Sequence, residues 1–243
     1  MNFIVRSGVY ESLSTSITTL YSCDYQASQF NPHLFTQLDI FLPETLQQAW
    51  PKRQAAYLAG RYCTAQAMRH HNQCVQQVPM GADRSIQWPL GVVGSIAHSD
   101  SKVFAVIGRQ QEVALLGVDY EPYLSDKALD TVREVIRCPD EAYQRHDLSM
   151  QSSMWLTLLF AAKEAFFKAL APRIGCYIDF QAVRMVQVDV HRQLFCLELA
   201  HDLSVMYPKG ARFMGHYRCT NQGVLTLMSQ AHLNKHQHVQ TDD

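Results

Sequence analysis

Segment 117–121, Gly-Val-Asp-Tyr-Glu, ends an apolar run and carries two carboxylates one residue apart. Because side chains alternate along a strand, Asp119 and Glu121 share a face if this segment is extended. Pro122 then closes the strand, since proline cannot continue the ladder as an inner residue. Carboxylate oxygens are ligands that hard cations prefer. The alternative at this point is a strand end that enters solvent with two exposed acids.

A second candidate group lies in segment 155–170, where apolar residues recur at helical spacing. Glu164 lies roughly opposite the middle of this apolar stripe, and Lys168 follows it one turn later on the same face. Two interpretations are open. The pair can contribute chemistry, or it can be a solvent-facing pair that stabilises the helix by about a few tenths of a kcal/mol.

Two further segments suggest phosphate contacts. Small residues in segment 94–100 predict a turn that exposes backbone donors near His98, although a lone loop histidine is more often structural. Arg53, Tyr57 and Arg61 recur at four-residue intervals and therefore lie on one stripe of a predicted helix. Two arginines on one stripe could bind phosphate or remain solvated.

The elements that must position these residues are helices and strands in successive groups. Helices are predicted at 51–71, 126–137, 140–146 and 151–170, the last ended by Pro172 and Gly175. Strands are predicted at 103–108, 113–119, 182–190, 193–200, 211–217 and 223–229. The first two strands could form a hairpin across residues 109–112.

Helix followed by antiparallel strands thus occurs twice, which predicts an α+β protein of two similar lobes, each a small antiparallel sheet packed with helices. The predicted N-terminal lobe is 1–116 and the C-terminal lobe is 117–230. The polar segment 231–243 has no apolar periodicity and is predicted to be a flexible tail.

Composition limits the class of protein. The chain has 243 residues, 47% of them hydrophobic, and a net charge of −1, so disordered and fibrous classes are excluded, and no overall basic field favours nucleic acid or anionic membranes. Residues 1–20 contain neither a signal-peptide core nor a membrane span, which predicts a cytoplasmic protein. Seven scattered cysteines without a CxxC spacing are predicted to be reduced thiols.

The four chemical segments follow one another in the order and spacing of one family. The chain resembles the phosphopantetheinyl transferases, specifically the larger two-lobed class and its branch that serves enterobactin-type siderophore synthesis. The matching segments are 52–61 (KRQAAYLAGR), 88–89 (WP), 94–99 (GSIAHS), 117–121 (GVDYE) and 160–168 (FAAKEAFFK). Tyr120 stands where the family usually has isoleucine, and Ala97 where serine or threonine is common.

The resemblance implies transfer of the 4′-phosphopantetheine arm of coenzyme A to a serine of an apo carrier protein, with 3′,5′-ADP as the leaving group. It implies that magnesium is held by Asp119, Glu121 and Glu164, and that Lys168 stabilises charge on the leaving phosphate. The residues expected to contact coenzyme A are Arg53, Arg61 and Arg84 at the 3′-phosphate, and Ser95, His98 and Lys168 at the other phosphates. The serine proton goes either to Glu164 or to a metal-bound water.

Partners and rival functions follow from the same resemblance. The expected partners are peptidyl, aryl or acyl carrier domains that dock near residues 123–150 of a monomer, with coenzyme A in the cleft between the lobes. Neither nucleic acid nor an integral membrane segment is expected. The rivals are a noncatalytic module that binds coenzyme A or a nucleotide, and an unrelated magnesium phosphohydrolase.

Overall fold

A computed structural model of the chain describes residues 3–73, 77–81, 85–138, 141, 152–175 and 178–232. Arg84 lies outside these residues, as do Cys74, Cys176, the tail from residue 233 and all of the predicted helix 140–146 except residue 141. Among the described residues, no helix is long and apolar enough to span a membrane.

Groups of strands and groups of helices follow one another along the described chain. The strands are β1 (Ile4–Val9), β2 (Thr18–Tyr25), β3 (Val92–His98), β4 (Lys102–Arg109), β5 (Val113–Pro122), β6 (Val183–Asp189), β7 (Leu194–Leu199), β8 (Arg212–Cys219) and β9 (Gly223–Ala231). The helices are α1 (His33–Gln37), α2 (Glu44–Gln47), α3 (Pro51–His70), α4 (Asp126–Ile136) and α5 (Ser152–Ile174).

The strands form two antiparallel sheets, which confirms the predicted α+β class. The order of the first sheet is β1-β2-β4-β3, and that of the second is β5-β9-β8-β7-β6. The predicted hairpin of β4 with β5 is wrong, because β4 already pairs with β2 on one side and β3 on the other. No edge of β4 remains for β5, which pairs with β9 instead. The predicted lobe boundary after residue 116 falls within β5 and stays a prediction.

Three apolar clusters hold these layers together. The first lies under α3, where Leu58 and Cys63 pack on one face of the first sheet. The second surrounds α5, where Leu158 and Phe166 pack on the second sheet. The third combines residues of both sheets, and the rings of Phe104 on β4 and Tyr120 on β5 lie 5.0 Å apart there. This third cluster joins the β3–β4 region to β5 and therefore fixes the position of the candidate site.

Helix α5 is longer than the sequence predicted, because it continues through Pro172 to Ile174. Proline lacks the backbone N–H that would bond to the preceding turn, so Pro172 removes one hydrogen bond near the end of the helix. Gly175 follows the last helical residue, and its positive φ of 71° is a conformation that glycine adopts without strain.

Candidate active site

Strand β5 presents its acidic residues to α5. Gly117 allows the close approach of the two elements, because a Cβ at this position would overlap the carbonyl oxygen of Ala165. Asp119 lies two positions later and so points from the same face of β5 toward the helix. It is only 4% exposed. The prediction that Asp119 lies on a strand is confirmed, but its carboxylate is buried against α5 rather than exposed at a strand end.

Lys168 of α5 pairs with Asp119. The Nζ atom donates to Asp119 Oδ1 at 2.5 Å, and the two side chains are 32% and 5% exposed. Burial raises the pKa of Asp119, while the charge and hydrogen bond of Lys168 act in the opposite direction. The second carboxylate oxygen, Oδ2, is buried and has no hydrogen-bond partner among the described residues. This ion pair joins the strand to the helix and replaces the predicted solvent-facing pair within α5.

The charge of Asp119 acts on the carboxylates of Glu121 and Glu164. Burial, followed by the charges of Asp119 and Glu164, raises the pKa of Glu121 to about 7. Burial and Asp119 likewise raise the pKa of Glu164. The three carboxylates therefore form one negatively charged group that a cation would stabilise.

The donor set fits a hard divalent cation such as magnesium, since such ions take carboxylate oxygens. Asp119 Oδ2 has no hydrogen-bond partner in the described part of the chain, and the charges of the three acids disfavour one another. The arrangement is nevertheless not a closed ligand cage. In the part of the chain that the structure describes, no group of three His, Cys, Asp or Glu side chains is placed to share one metal ion.

His98 ends β3 beside this acidic group, so the prediction of a turn over residues 94–100 is wrong for residues 94–98, which pair with β4 as a strand. Partial loss of hydration lowers the pKa of His98, and the charge of Lys168 lowers it further. Asp119 and Arg53 also act on the histidine, so the β3, β5, α5 and α3 residues meet here. Beside them lies a pocket of about 480 Å³, lined by His98, Ser99, Asp100, Ser101, Lys102, Tyr120, Glu121, Pro122 and Gln222. Of the candidate site residues, His98 and Glu121 line this pocket, whereas Asp119, Glu164, Lys168 and Arg53 are not among its lining residues.

Arg61 lies two helical turns beyond Arg53 on α3. Its guanidinium carbon is 4.5 Å from the centre of the Tyr57 ring, as expected for the predicted stripe. Burial lowers the pKa of Arg61, and its Nε has no hydrogen-bond partner among the described residues. Arg61 also lines a pocket of about 520 Å³, together with Gln37, Leu38, Asp39, Ile40, Tyr62, Ala65, Gln66, Arg69, Gln77 and Val78.

Ser95 is not on the His98 side of β3. Side chains alternate along a strand, so Gly94, Ile96 and His98 lie on one face of β3, and Ile96 points toward Gly60 of α3. Ser95 lies on the other face, is 4% exposed, and its Oγ accepts the N–H of Val118 at 3.1 Å. The structure therefore does not bring the Ser95 hydroxyl to His98.

Comparison with known proteins places this arrangement in a family. The 4′-phosphopantetheinyl transferase N-terminal domain matches residues 42–108, and the 4′-phosphopantetheinyl transferase superfamily domain matches residues 115–211. Enterobactin synthase component D of Escherichia coli O157:H7 is 34% identical over 172 residues, which cover 68% of this chain and 81% of that protein. The chain belongs to the 4′-phosphopantetheinyl transferase superfamily.

Other relatives carry related names. Enterobactin synthase component D of Salmonella typhi is 35% identical over 158 residues, covering 64% of this chain and 63% of the relative. The 4′-phosphopantetheinyl transferase Svp of Streptomyces mobaraensis is 30% identical over 168 residues, covering 63% of this chain and 65% of the relative. The predicted resemblance to the enterobactin branch of the phosphopantetheinyl transferases is thus confirmed.

In this member of the phosphopantetheinyl transferase superfamily, α5 carries a second lysine whose partners the sequence did not reveal. Lys163 is fully buried, and its Nζ lies 3.0 Å from Glu141 Oε1. It also donates to the carbonyl oxygens of Ile136 at 2.6 Å and Phe180 at 3.1 Å. Glu141 in turn accepts the N–H of Met185 at 2.7 Å. The sequence offered one signal for this pair. Lys163 lies on the helix directly before Glu164, and a lysine that is buried needs a partner.

Proposed function

We propose that this chain transfers the 4′-phosphopantetheine arm of coenzyme A to a serine of an apo carrier protein and releases 3′,5′-ADP. The proposed pathways are siderophore or other nonribosomal peptide synthesis. The observation that carries the proposal is the ion pair of Lys168 with Asp119, set beside Glu121, Glu164 and His98 in a chain of this family.

The reaction requires attack by the serine oxygen on the phosphorus that bears the pantetheine arm, with cleavage of the bond from that phosphorus to the 3′,5′-ADP oxygen. Lys168 donates to the leaving phosphate as negative charge develops on it. His98 holds phosphate oxygens by hydrogen bonds. Glu164, or a water beside it, accepts the serine proton.

We further propose that Asp119, Glu121 and Glu164 hold magnesium. When bound, the ion neutralises charge on the pyrophosphate of coenzyme A. Support comes from Asp119 Oδ2, which no described residue hydrogen-bonds, and from the raised pKa values of the two glutamates, which burial and neighbouring acids produce.

The pocket beside Arg61 suits the 3′-phosphate end of coenzyme A. Arg61 and Arg69 supply positive charge there, and the Arg61 guanidinium is oriented by the Tyr57 ring. Arg84 is part of the same proposal, although it lies outside the described residues. Coenzyme A would then extend from α3 of a lobe formed by residues 1–116 to the acidic group of a lobe formed by residues 117–230.

The remaining parts of the proposal concern partners and location. We propose a monomer that docks its carrier near residues 123–150, of which only part is described. We also propose a cytoplasmic location. The cysteines that the structure describes, which are Cys23, Cys63, Cys138, Cys196 and Cys219, are free thiols, as expected for a reducing compartment.

The deciding experiment is incubation of the protein with coenzyme A, magnesium and several apo carriers, followed by mass spectrometry of each carrier. We expect the mass of phosphopantetheine to be added to at least one carrier, and no addition when its acceptor serine is replaced by alanine. Chelation should stop the reaction. Binding of coenzyme A without any product would favour a noncatalytic module, and cleavage of coenzyme A without carrier modification would favour a phosphohydrolase.

A further inference from the structure

Thr226 of β9 is a buried residue next to the acidic group. It lies directly opposite Asp119 in the β5–β9 ladder and is 0% exposed. Its Oγ1 donates to the carbonyl oxygen of Ala161 on α5 at 2.8 Å. The same atom lies 3.4 Å from the carbonyl oxygen of Asp119. The hydroxyl therefore contacts both the strand and the helix that carry the candidate catalytic residues.

The hydrogen bond to Ala161 lies close to both candidate catalytic side chains of α5. Ala161 lies one turn before Glu164 and two turns before Lys168 on α5, so a hydrogen bond at Ala161 fixes the turn that precedes both side chains. On the strand side, Asp119 is the residue to which Lys168 must reach. A buried hydroxyl is unfavourable unless it is hydrogen-bonded, and valine would fill the same space in a strand. The hydroxyl of Thr226 therefore matters for the hydrogen bond between strand and helix more than for packing.

We propose that Thr226 is a positioning residue, which holds α5 at the height along β5 where Lys168 reaches Asp119 and Glu164 faces the same site. The inference rests on the proposed transferase function. Thr226 touches neither substrate nor reacting atoms, and it acts through Asp119 and Lys168. Displacement of a catalytic group by about 1 Å can cost on the order of a hundredfold in rate, so one hydrogen bond between these elements is sufficient to affect catalysis.

The test compares Thr226→Val, which keeps the shape and removes the hydroxyl, with Thr226→Ser, which keeps the hydroxyl and removes the methyl group. Thr64→Val is the matched control, because Thr64 is also 0% exposed and its Oγ1 donates to a helix carbonyl, that of Gly60 at 2.9 Å. Three quantities are measured for each protein. They are the single-turnover transfer rate, the dissociation constant of coenzyme A by calorimetry, and the affinity for Mn²⁺ by electron paramagnetic resonance with coenzyme A present.

A positioning role predicts that Thr226→Val loses about tenfold or more in transfer rate and binds Mn²⁺ more weakly, while its affinity for coenzyme A stays within severalfold of wild type. Thr226→Ser and Thr64→Val should both retain nearly the wild-type rate and Mn²⁺ affinity. If Thr226→Val does not fold, Thr226→Cys takes its place, because the thiol has a similar size and is a weak donor.

The proposal is overturned if Thr226→Val matches wild type in rate and Mn²⁺ affinity, if Thr226→Ser loses as much as Thr226→Val, or if Thr64→Val shows the same losses. Failure of the proposed function is a different result. A wild-type protein that modifies no carrier would overturn the transferase, and the Mn²⁺ affinities would still decide whether Thr226 positions the acidic group.

Discussion

Lys168 and Asp119, 49 positions apart in the sequence, meet through a 2.5 Å hydrogen bond between α5 and β5. Lysine has three donor hydrogens, and Asp119 takes one of them. Because Lys168 is 32% exposed while Asp119 is 5% exposed, the ammonium group contacts the buried carboxylate and leaves part of the lysine side chain accessible from solvent. This geometry suits an ammonium group that is held in place before substrate arrives.

The first prediction is that Lys168→Ala loses roughly a hundredfold or more in turnover, the size expected when one donor that stabilises transition-state charge is removed. Coenzyme A affinity should stay within several-fold of wild type, because the contact strengthens as charge develops on the leaving phosphate. Single-turnover transfer and calorimetry measure the two effects. Arg173→Ala, an exposed change in the same helix, should leave both unchanged. Unchanged chemistry with weakened binding would show that Lys168 only anchors coenzyme A.

The sequence predicted those parts of the site that depend on local periodicity. Alternation placed Asp119 and Glu121 on one strand face, and helical spacing placed Tyr57 and Arg61 on one stripe, where the two side chains are in contact. It could not predict contacts between distant segments. The predicted β4–β5 hairpin does not form, because β2 and β3 already occupy both edges of β4. The sequence had predicted neither of these two strands.

The second prediction concerns the 3′-phosphate of coenzyme A. Arg61→Ala should raise the Michaelis constant for coenzyme A much more than it lowers the turnover number, since a contact far from the reacting phosphorus acts as uniform binding. Arg53→Ala should do the same. Dephospho-coenzyme A is the control substrate. If either variant lost the same factor with dephospho-coenzyme A as with coenzyme A, that arginine would not contact the 3′-phosphate.

The third prediction concerns the buried ion pair of Lys163 with Glu141, whose side chains are 0% and 2% exposed. Lys163→Met should destabilise the fold by about 3–5 kcal/mol, because it leaves the Glu141 charge buried without its partner. The measurement is urea unfolding. In the double variant with Glu141→Gln the loss should be smaller than the sum of the two single losses. Additive losses would mean that the two residues stabilise the fold independently.

The fourth prediction tests the close packing of β5 on α5. Gly117→Ala should destabilise the protein by about 1–3 kcal/mol or more, because the added methyl group would overlap the Ala165 carbonyl, which is rigid helix backbone. Gly8→Ala is the matched control in a strand, since a Cβ there would meet no atom within 4 Å. Urea unfolding of both variants checks the difference. Equal stability of the two variants would show that the helix can shift away from Gly117 at little cost.

The last prediction concerns His71, which is 8% exposed and whose Nδ1 lies 2.9 Å from Thr19 Oγ1. Burial lowers the pKa of His71, and the charge of Arg109 lowers it further, while Glu112 acts in the opposite direction. The unfolded chain therefore binds the proton more readily than the folded one. The stabilising effect of neutral His71 is present above the ordinary pKa of 6.5 and is lost as the pH falls below it.

We expect the free energy of unfolding, measured in urea, to fall between about pH 7 and pH 5 by up to about 1.4 kcal/mol per pH unit from this residue. His71→Gln cannot titrate and should show a flatter dependence on pH over the same interval. Thr19→Val removes the hydroxyl that contacts the histidine but leaves the ring free to titrate, so it should lower stability at every pH and keep the wild-type slope. Parallel curves for wild type and His71→Gln would show that other groups cause the pH dependence.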